Sequence, residues 1–229
     1  MKKISKTQID LLGNRLRKTS LSEADLEMLD DYRKSFGTAY ENVVRAIREQ
    51  LKLEPTGRPA KSTTSIIEKL HRESVRLSQV QDIAGCRVVV DDIKKQNNAI
   101  KRLSKIFPMA TIVDRRIHPS YGYRAVHVVI KNLEKLIEVQ IRTELQHGWS
   151  EFSEKLADKF DASIKYGGGD KKIQKLLVDI SELIKGYEEA EIKILGLPKN
   201  KRDKQLKKEM LNQKKLIAGH IKEHLRLFL

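Results

Sequence analysis

Leu136-Ile137-Glu138-Val139-Gln140-Ile141-Arg142 alternates strictly, with Ile137, Val139 and Ile141 on one side and Glu138, Gln140 and Arg142 on the other. A period of two belongs to a β-strand, whose successive side chains point to opposite faces. The apolar side reads as core-facing. The wholly polar side fits a solvated sheet face, and it equally fits the floor of an active site. Upstream, Ile83-Ala84-Gly85-Cys86-Arg87-Val88-Val89-Val90 is an apolar run rich in β-branched residues, too short for a typical helix and suited to a buried strand. Residues 110–116 and 124–131 are two further strand candidates. Between these segments, Ile100, Leu103 and Ile106 mark a helix over 94–106.

Both flanks of this β-rich centre are helical. Ser22-Glu23-Ala24-Asp25 supplies an N-cap followed by acidic residues in the first turn, where they favour the helix dipole. Leu26, Leu29, Tyr32, Phe36, Tyr40, Val43, Val44, Ile47 and Leu51 then recur at spacings of three and four. Pro55, Gly57 and Pro59 break the pattern into a loop, and a shorter helix should begin near Thr64 with Ile66, Ile67 and Leu70 inward. From residue 144 the chain is helical except at Gly167-Gly168-Gly169 and Gly196-Leu197-Pro198. Ile173, Leu176, Leu177, Ile180, Leu183, Ile184 and Tyr187 mark one amphipathic helix; Leu206, Met210, Ile217, Ile221, Leu225 and Phe228 mark the last. Helices, then a mixed β-rich centre, then helices, argue for an α+β fold. The boundaries fall at 1–54 for an N-terminal helical region, 55–169 for the core and 170–229 for a C-terminal helical extension.

The 229 residues carry 39% hydrophobic and 34% charged side chains, enough apolar content for a core and an excess of charge that suits long solvated helices. No run of 18 apolar residues exists, and Met1-Lys2-Lys3-Ile4-Ser5-Lys6 leads into no apolar signal core, so the chain reads as cytoplasmic with no membrane partner. Its one cysteine, Cys86, excludes an internal disulfide and a cysteine-based zinc cage, and its apolar neighbours suggest an inert buried thiol. The net charge of +15 is uneven. Residues 1–18 hold six Lys/Arg against Asp10 alone, and residues 199–229 hold ten against Asp203, Glu209 and Glu223. Basic ends of this kind suit a polyanion, and they also suit two solvated helix faces.

Four polar clusters carry the chemistry. Asp82 stands just before the apolar strand, where a carboxylate can face a cleft and hold a hard cation, or simply serve a turn; Gly85 after it permits close approach of another backbone or a ligand. Glu138, Gln140 and Arg142 present an acid, an amide and a base along one strand face. Mg²⁺ takes one or two carboxylates plus substrate phosphates, so Asp82 and Glu138 on neighbouring strands would meet its need, with the donor fork of Arg142 able to neutralise phosphate charge. A cross-strand ion-pair ladder is the alternative. In Tyr121-Gly122-Tyr123-Arg124-Ala125-Val126-His127, Gly122 allows a bend, Tyr123 offers an aromatic face to a base, and His127 lies on the same side of the strand; a packed tyrosine and a core histidine are the plainer reading. Finally Arg58, Lys61, Ser65, Lys69 and Arg72 precede Asp82, with Lys61, Ser65 and Lys69 spaced by four on one helix face, as suits a triphosphate or a solvated surface.

Together these clusters resemble the synthetase domain of RelA/SpoT homologues, and the size of the chain resembles the small alarmone synthetases. The matching text, over about half of the chain from Arg58 to Gly169, is Lys61-x-x-x-Ser65-Ile66-x-x-Lys69-Leu70, Asp82-Ile83-Ala84-Gly85-Cys86-Arg87, Gly122-Tyr123-Arg124-x-x-His127 and Glu138-Val139-Gln140-Ile141-Arg142-Thr143. The resemblance implies a nucleotidyltransferase-like mixed sheet and an ATP-dependent pyrophosphokinase that moves the β,γ-diphosphate of ATP to the 3′-hydroxyl of GDP or GTP, giving (p)ppGpp. It implies Mg²⁺ on Asp82, with Glu138 assisting it or taking the proton from the attacking hydroxyl. It further implies adenine between Arg58 and Arg87, the ATP phosphates on Lys61, Ser65 and Lys69, and an acceptor base stacked on Tyr123 near His127, Gln140 and Arg142. Positioning and charge neutralisation are what such a transfer requires. No P-loop or kinase signature occurs, and the N-terminal residues lack the His-Asp pair of an upstream hydrolase.

The chain departs from the family pattern in two places. The family usually places its first Arg two residues before the Lys, where this chain has Pro59 and carries Arg58 one earlier. Makers of (p)ppGpp usually carry a Lys four residues before the stacking Tyr and an Asn two before it; here those places are Pro119 and Tyr121. That asymmetry resembles the toxic branch of the small synthetases, some of which modify the 3′ CCA end of tRNA and are restrained by a protein antitoxin. Arg115 and Arg116 would then join the basic ends on an RNA backbone. An adenine nucleotide as acceptor, a catalytically dead RNA-binding module with the same fold, and a homo-oligomer paired through the last helix stay open on sequence grounds.

Overall fold

The structure is a computed structural model that describes residues 4–18, 21–197 and 204–228, with the side chain of Arg58 outside the described set. The expected break at Pro198 also lies outside it. The elements in order are α1 (Lys6–Leu16), α2 (Glu23–Lys34), α3 (Gly37–Ala46, running into a π turn at Ile47–Leu51), β1 (Thr56–Arg58), α4 (Thr63–Arg72), β2 (Ala84–Val90) and α5 (Ile93–Ile106). Then follow β3 (Thr111–Asp114), β4 (Val126–Asn132), β5 (Lys135–Thr143), α6 (Glu144–Lys159), α7 (Lys171–Gly196) and α8 (Lys204–Phe228), with short 3₁₀ turns at Leu77–Gln79 and Ala162–Tyr166. The fold is α+β: a five-stranded mixed sheet ordered β1-β2-β5-β4-β3, flanked by helices.

Helix starts follow local chemistry. The Ser22 hydroxyl accepts from the Asp25 backbone N–H in a reciprocal capping box, and Ser5 with Gln8 and Thr143 with Gln146 repeat the device. Asp25 is itself buried because it also meets Arg15 at 2.6 Å. Leu26, expected on the apolar stripe, is 43% exposed. Leu183 on α7 likewise points outward, between the buried Ile180 and Ile184.

Two differences from the sequence expectation matter for the site. Residues 56–58, expected as loop, form the edge strand β1, paired antiparallel to β2 through Thr56↔Arg87, Gly57↔Cys86 and Arg58↔Gly85. That pairing is non-local, so nothing in the Pro- and Gly-containing segment announces it. Lys61, expected on the helix, precedes it: the N-cap of α4 is Ser62.

The chain divides into two compact units: Met1–Val88 with Arg102–Ile112 and Val128–Gln140, and Val89–Lys101 with Val113–His127 and Ile141–Leu229. In the first, α1 packs on α2, on α4 and on the Leu77–Gln79 turn. Arg17 donates to the carbonyls of Leu70 (2.9 Å), Glu73 (3.3 Å) and Val75 (2.5 Å), satisfying acceptors that the end of α4 leaves open. In the second, α6, α7 and α8 bury Trp149, Phe152, Leu177, Ile180, Ile184 and Ile221 in one cluster, and Tyr123 packs against it.

Strands β4 and β5 are joined by the two-residue turn Leu133-Glu134, both at positive φ (47° and 60°). Such turns match strand twist but favour Asn-Gly, because a Cβ in the left-handed region costs about 1–2 kcal/mol. The double substitution Leu133→Asn, Glu134→Gly should therefore raise the urea-unfolding free energy by about 1 kcal/mol; an unchanged or lower midpoint would contradict this turn geometry.

Candidate active site

In the first unit, three of the expected donor residues converge. Lys61 Nζ donates to Asp82 Oδ2 at 2.7 Å, and Lys69 Nζ to Asp82 Oδ1 at 3.0 Å. Their side chains are 17%, 19% and 22% exposed, so the trio is sheltered without being sealed. Lys61 is held from both sides, its N–H on the Ile83 carbonyl (2.6 Å) and its own carbonyl accepting from Arg33 Nε (2.7 Å). Lys69 reaches from the last turn of α4 and also meets Glu73 at 3.7 Å. Ser65 stays close to the helix start: Ser62 Oγ donates to its hydroxyl at 2.8 Å and accepts its backbone N–H.

Burial alone would raise the Asp82 pKa, but the fields of Lys61 and Lys69 and their hydrogen bonds outweigh it and hold the carboxyl below its ordinary 3.8. Beside it, β2 shows a core-facing set, Ala84, Cys86, Val88 and Val90, and a more open set, Gly85, Arg87 and Val89. Glu138 and Gln140 lie on the open side of β5, with Gln140 Nε2 donating to Glu138 Oε2 at 2.8 Å. Arg87 keeps its Nε buried with no hydrogen-bond partner among the described residues. Cys86 is 4% exposed, and burial followed by the Glu138 charge pushes its thiol up to about 12, so it is inert as expected. Gly85 is required where it stands, because a Cβ there would lie 2.7 Å from the Glu138 carbonyl oxygen. Asp82 and Glu138 offer hard carboxylate oxygens, and the described residues contain no cluster of three or more His, Cys, Asp or Glu. That donor set fits Mg²⁺, which completes its shell with phosphate and water rather than a protein cage.

The second unit brings together Tyr123, His127 and Arg142. Tyr123 Oη meets His127 Nε2 at 2.8 Å and accepts from Arg142 Nη2 at 3.1 Å, while the Arg142 guanidinium sits 5.2 Å from the ring centroid. Gly122 has φ 88°, and a Cβ there would meet Trp149 at 2.9 Å, so the bend that aims Tyr123 admits only glycine without a shift. The two arginines offered for RNA differ. Arg115 is exposed near Ser120 (3.4 Å), whereas Arg116 is engaged by Asp114 at 2.6 Å, Asn97 at 2.7 Å and Gln96 at 3.0 Å.

Glu188 was not singled out by sequence. It is 3% exposed, and burial pushes its carboxyl up, only partly offset by Arg124 and by hydrogen bonds from Thr143 and Gln146. It accepts from Thr143 Oγ1 at 3.0 Å, Gln146 Nε2 at 2.7 Å and Arg124 Nη2 at 3.4 Å. Gln96 extends the network to the Ile141 carbonyl at 2.7 Å. The signal was present: Glu188 falls four residues after Ile184 on the buried stripe of α7, where an unpaired acid would be costly. This network backs Arg124, the residue next to Tyr123, and the start of α6.

Residues 57–163 match the family model described as the region found in RelA / SpoT proteins. An uncharacterised protein of Mycobacterium tuberculosis is 39% identical over 111 residues, covering 47% of this chain and 41% of that protein. GTP pyrophosphokinase YjbM of Bacillus subtilis is 35% identical over 127 residues, covering 48% of this chain and 58% of that protein. The aligned stretch thus spans about half the length of these relatives. Among solved structures, small alarmone synthetase 1 from Bacillus subtilis is 26% identical with a TM-score of 0.53, covering 72% of this chain and 97% of that one. Its forms bound to the product pppGpp (24% identical, TM-score 0.55, 76% and 98% covered) and to AMPCPP (23%, 0.51, 74% and 97%) share the fold. Residues 57–163 are thus similar to the region found in RelA / SpoT proteins. Over 72% of the chain the fold resembles that of small alarmone synthetase 1.

Two outcomes test this geometry. Because the folded pKa of Asp82 is depressed, its stabilising contribution is complete above the ordinary 3.8 and is lost as pH falls through the lower folded value. Lys61→Met should move the Asp82 carboxyl titration upward in a carbon-detected NMR experiment without nucleotide or metal; an unmoved titration would exclude the Lys61–Asp82 contact. Glu188→Ala leaves Arg124 buried without its carboxylate, and should lower the unfolding free energy by about 3–5 kcal/mol, read from urea denaturation.

Proposed function

We propose that the chain is an ATP-dependent pyrophosphokinase that transfers the β,γ-diphosphate of ATP to the 3′-hydroxyl of GDP or GTP, forming (p)ppGpp and AMP. The convergence of Lys61 and Lys69 on Asp82, at 2.7 and 3.0 Å, carries this reading. Two ammonium groups already drawn to one anionic point are placed to donate to phosphate oxygens, and exchanging Asp82 for phosphate frees the carboxylate. Ser65, near the first turn of α4, adds a hydroxyl and the positive end of a helix. Arg87 on β2 is assigned to the adenine, and Arg58 belongs to the adjacent strand β1.

Asp82 and Glu138 would hold Mg²⁺, which would supply charge neutralisation on the diphosphate. In the transfer, the 3′-oxygen forms a bond to the β-phosphorus, the bond to the α,β-bridging oxygen breaks and AMP leaves with that electron pair. The proton of the attacking hydroxyl passes to the Glu138 carboxylate. Tyr123, steadied by His127 and Arg142, gives the guanine base an aromatic surface, a contact worth about 1–3 kcal/mol; Gln140 contributes an amide. The name of YjbM and the ligands pppGpp and AMPCPP of the Bacillus synthetase support the same donor and acceptor classes.

The test is incubation with γ-labelled ATP and, in separate tubes, GDP, GTP, ATP or deacylated tRNA, with Mg²⁺. Label should enter the guanine nucleotides with release of AMP. Asp82→Asn and Glu138→Gln should each lower the rate on the order of 10²–10³-fold. Label entering only tRNA would overturn the guanine acceptor and keep the donor chemistry. Unchanged rates in both variants would remove the site itself.

A further inference from the structure

The first unit contains a cavity of about 770 Å³ that shares no lining residue with the donor set. Its floor is aromatic: Tyr32 and Phe36 meet edge to face, with centroids 5.2 Å apart and planes at 86°. Ile9, Val80 and Leu136 add aliphatic wall. Over the rings hangs Lys135, its Nζ 5.0 Å from the Tyr32 centroid and 4.7 Å from that of Phe36.

The setting of Lys135 is unusual for a lysine. It has no carboxylate within ion-pair distance among the described residues, and partial burial lowers its pKa with no opposing charge to offset it. Its neighbour Lys131, by contrast, is matched by Glu134 at 2.8 Å. Ring faces attract a cation, but they give an ammonium no hydrogen-bond acceptor to replace the water it has lost. Burial keeps the Tyr32 phenol protonated, so both rings stay neutral and apolar. A cavity of this volume is in the range that takes a small organic molecule.

We propose that this cavity binds an amphipathic carboxylate, with the carboxylate on Lys135 Nζ and an aromatic or aliphatic body against Tyr32 and Phe36. Lys6 and Lys131 line the cavity with Lys135, against Asp31 and Glu134, and Lys131 is paired with Glu134; with no arginine fork and two acids in the wall, a monoanion is favoured over a phosphate dianion. A neutral analogue would cover Lys135 without supplying an acceptor, and should be rejected on that ground.

Titration of the full chain with 3-phenylpropionate and with octanoate, followed by calorimetry and NMR, tests the proposal against the neutral 3-phenyl-1-propanol and 1-octanol. Saturable carboxylate binding at least tenfold tighter than the matching alcohol is expected, with shifts centred on Tyr32, Phe36 and residues 131–136 and no displacement by AMPCPP. Lys135→Gln should weaken the carboxylates at least tenfold and leave the alcohols unchanged, while Lys135→Arg should retain carboxylate binding; melting curves check each variant's fold. If Lys135→Gln does not fold, the wild-type carboxylate-to-alcohol ratio and the shift map decide. No saturable binding, equal affinity for acid and alcohol, indifference to Lys135→Gln in a folded variant, or displacement by AMPCPP would overturn it.

Discussion

Strand β2 lies beside β5 only because residue 85 has no side chain: a Cβ there would come within 2.7 Å of the Glu138 carbonyl oxygen. Real Cβ atoms do not tolerate that distance, so any larger residue would push apart the two strands that carry the acidic chemistry. The approach orders what stands around it. Asp82 is delivered by the turn just before β2, Arg87 follows two residues after Gly85 on the same side of the strand, and Glu138 is at the point of contact. Close backbone approach, rather than side-chain packing, sets the spacing of the strands at this point of the sheet.

Charge is handled differently in the two units. In the first, Asp82 is a carboxylate crowded by two lysines, whose charges and hydrogen bonds hold its pKa below the ordinary value. In the second, charge is structural. Glu188, Arg124, Thr143, Gln146, Gln96 and Arg116 form a buried network that joins α5, α6 and α7 to the segment around Tyr123. The first arrangement leaves its cations placed to change partners, and the second spends its hydrogen bonds on holding position. Lys135 belongs to neither pattern, being a cation matched by ring faces alone.

The fold was legible where local periodicity decides structure. The alternation at 136–142, the apolar run at 83–90 and the amphipathic stripe of α7 correspond to β5, β2 and α7 within a residue or two at most of their ends. The Ser22 cap, the close approach at Gly85 and the bend at Gly122 were legible because each rests on one residue's geometry. Strand β1 was not, since three residues after Pro55 become a strand only by pairing with β2. Leu26 and Leu183 misled for a related reason: spacing defines a stripe, but the neighbour that covers it decides the width.

For the candidate site, the sequence by itself determined which residue types are present and in what order, because Lys61, Lys69, Asp82, Tyr123 and Glu138 sit in short motifs tied to local elements. Tertiary structure decided that Lys61 and Lys69 meet on one carboxylate, since those contacts span 21 and 13 residues of chain. It also decided that Arg116 is engaged within the protein, and that Glu188 meets Arg124, 64 residues away and next to Tyr123. The physical reason is common to all three. A side chain's charge state and free hydrogen-bonding capacity depend on what is folded against it, and that partner lies far along the chain.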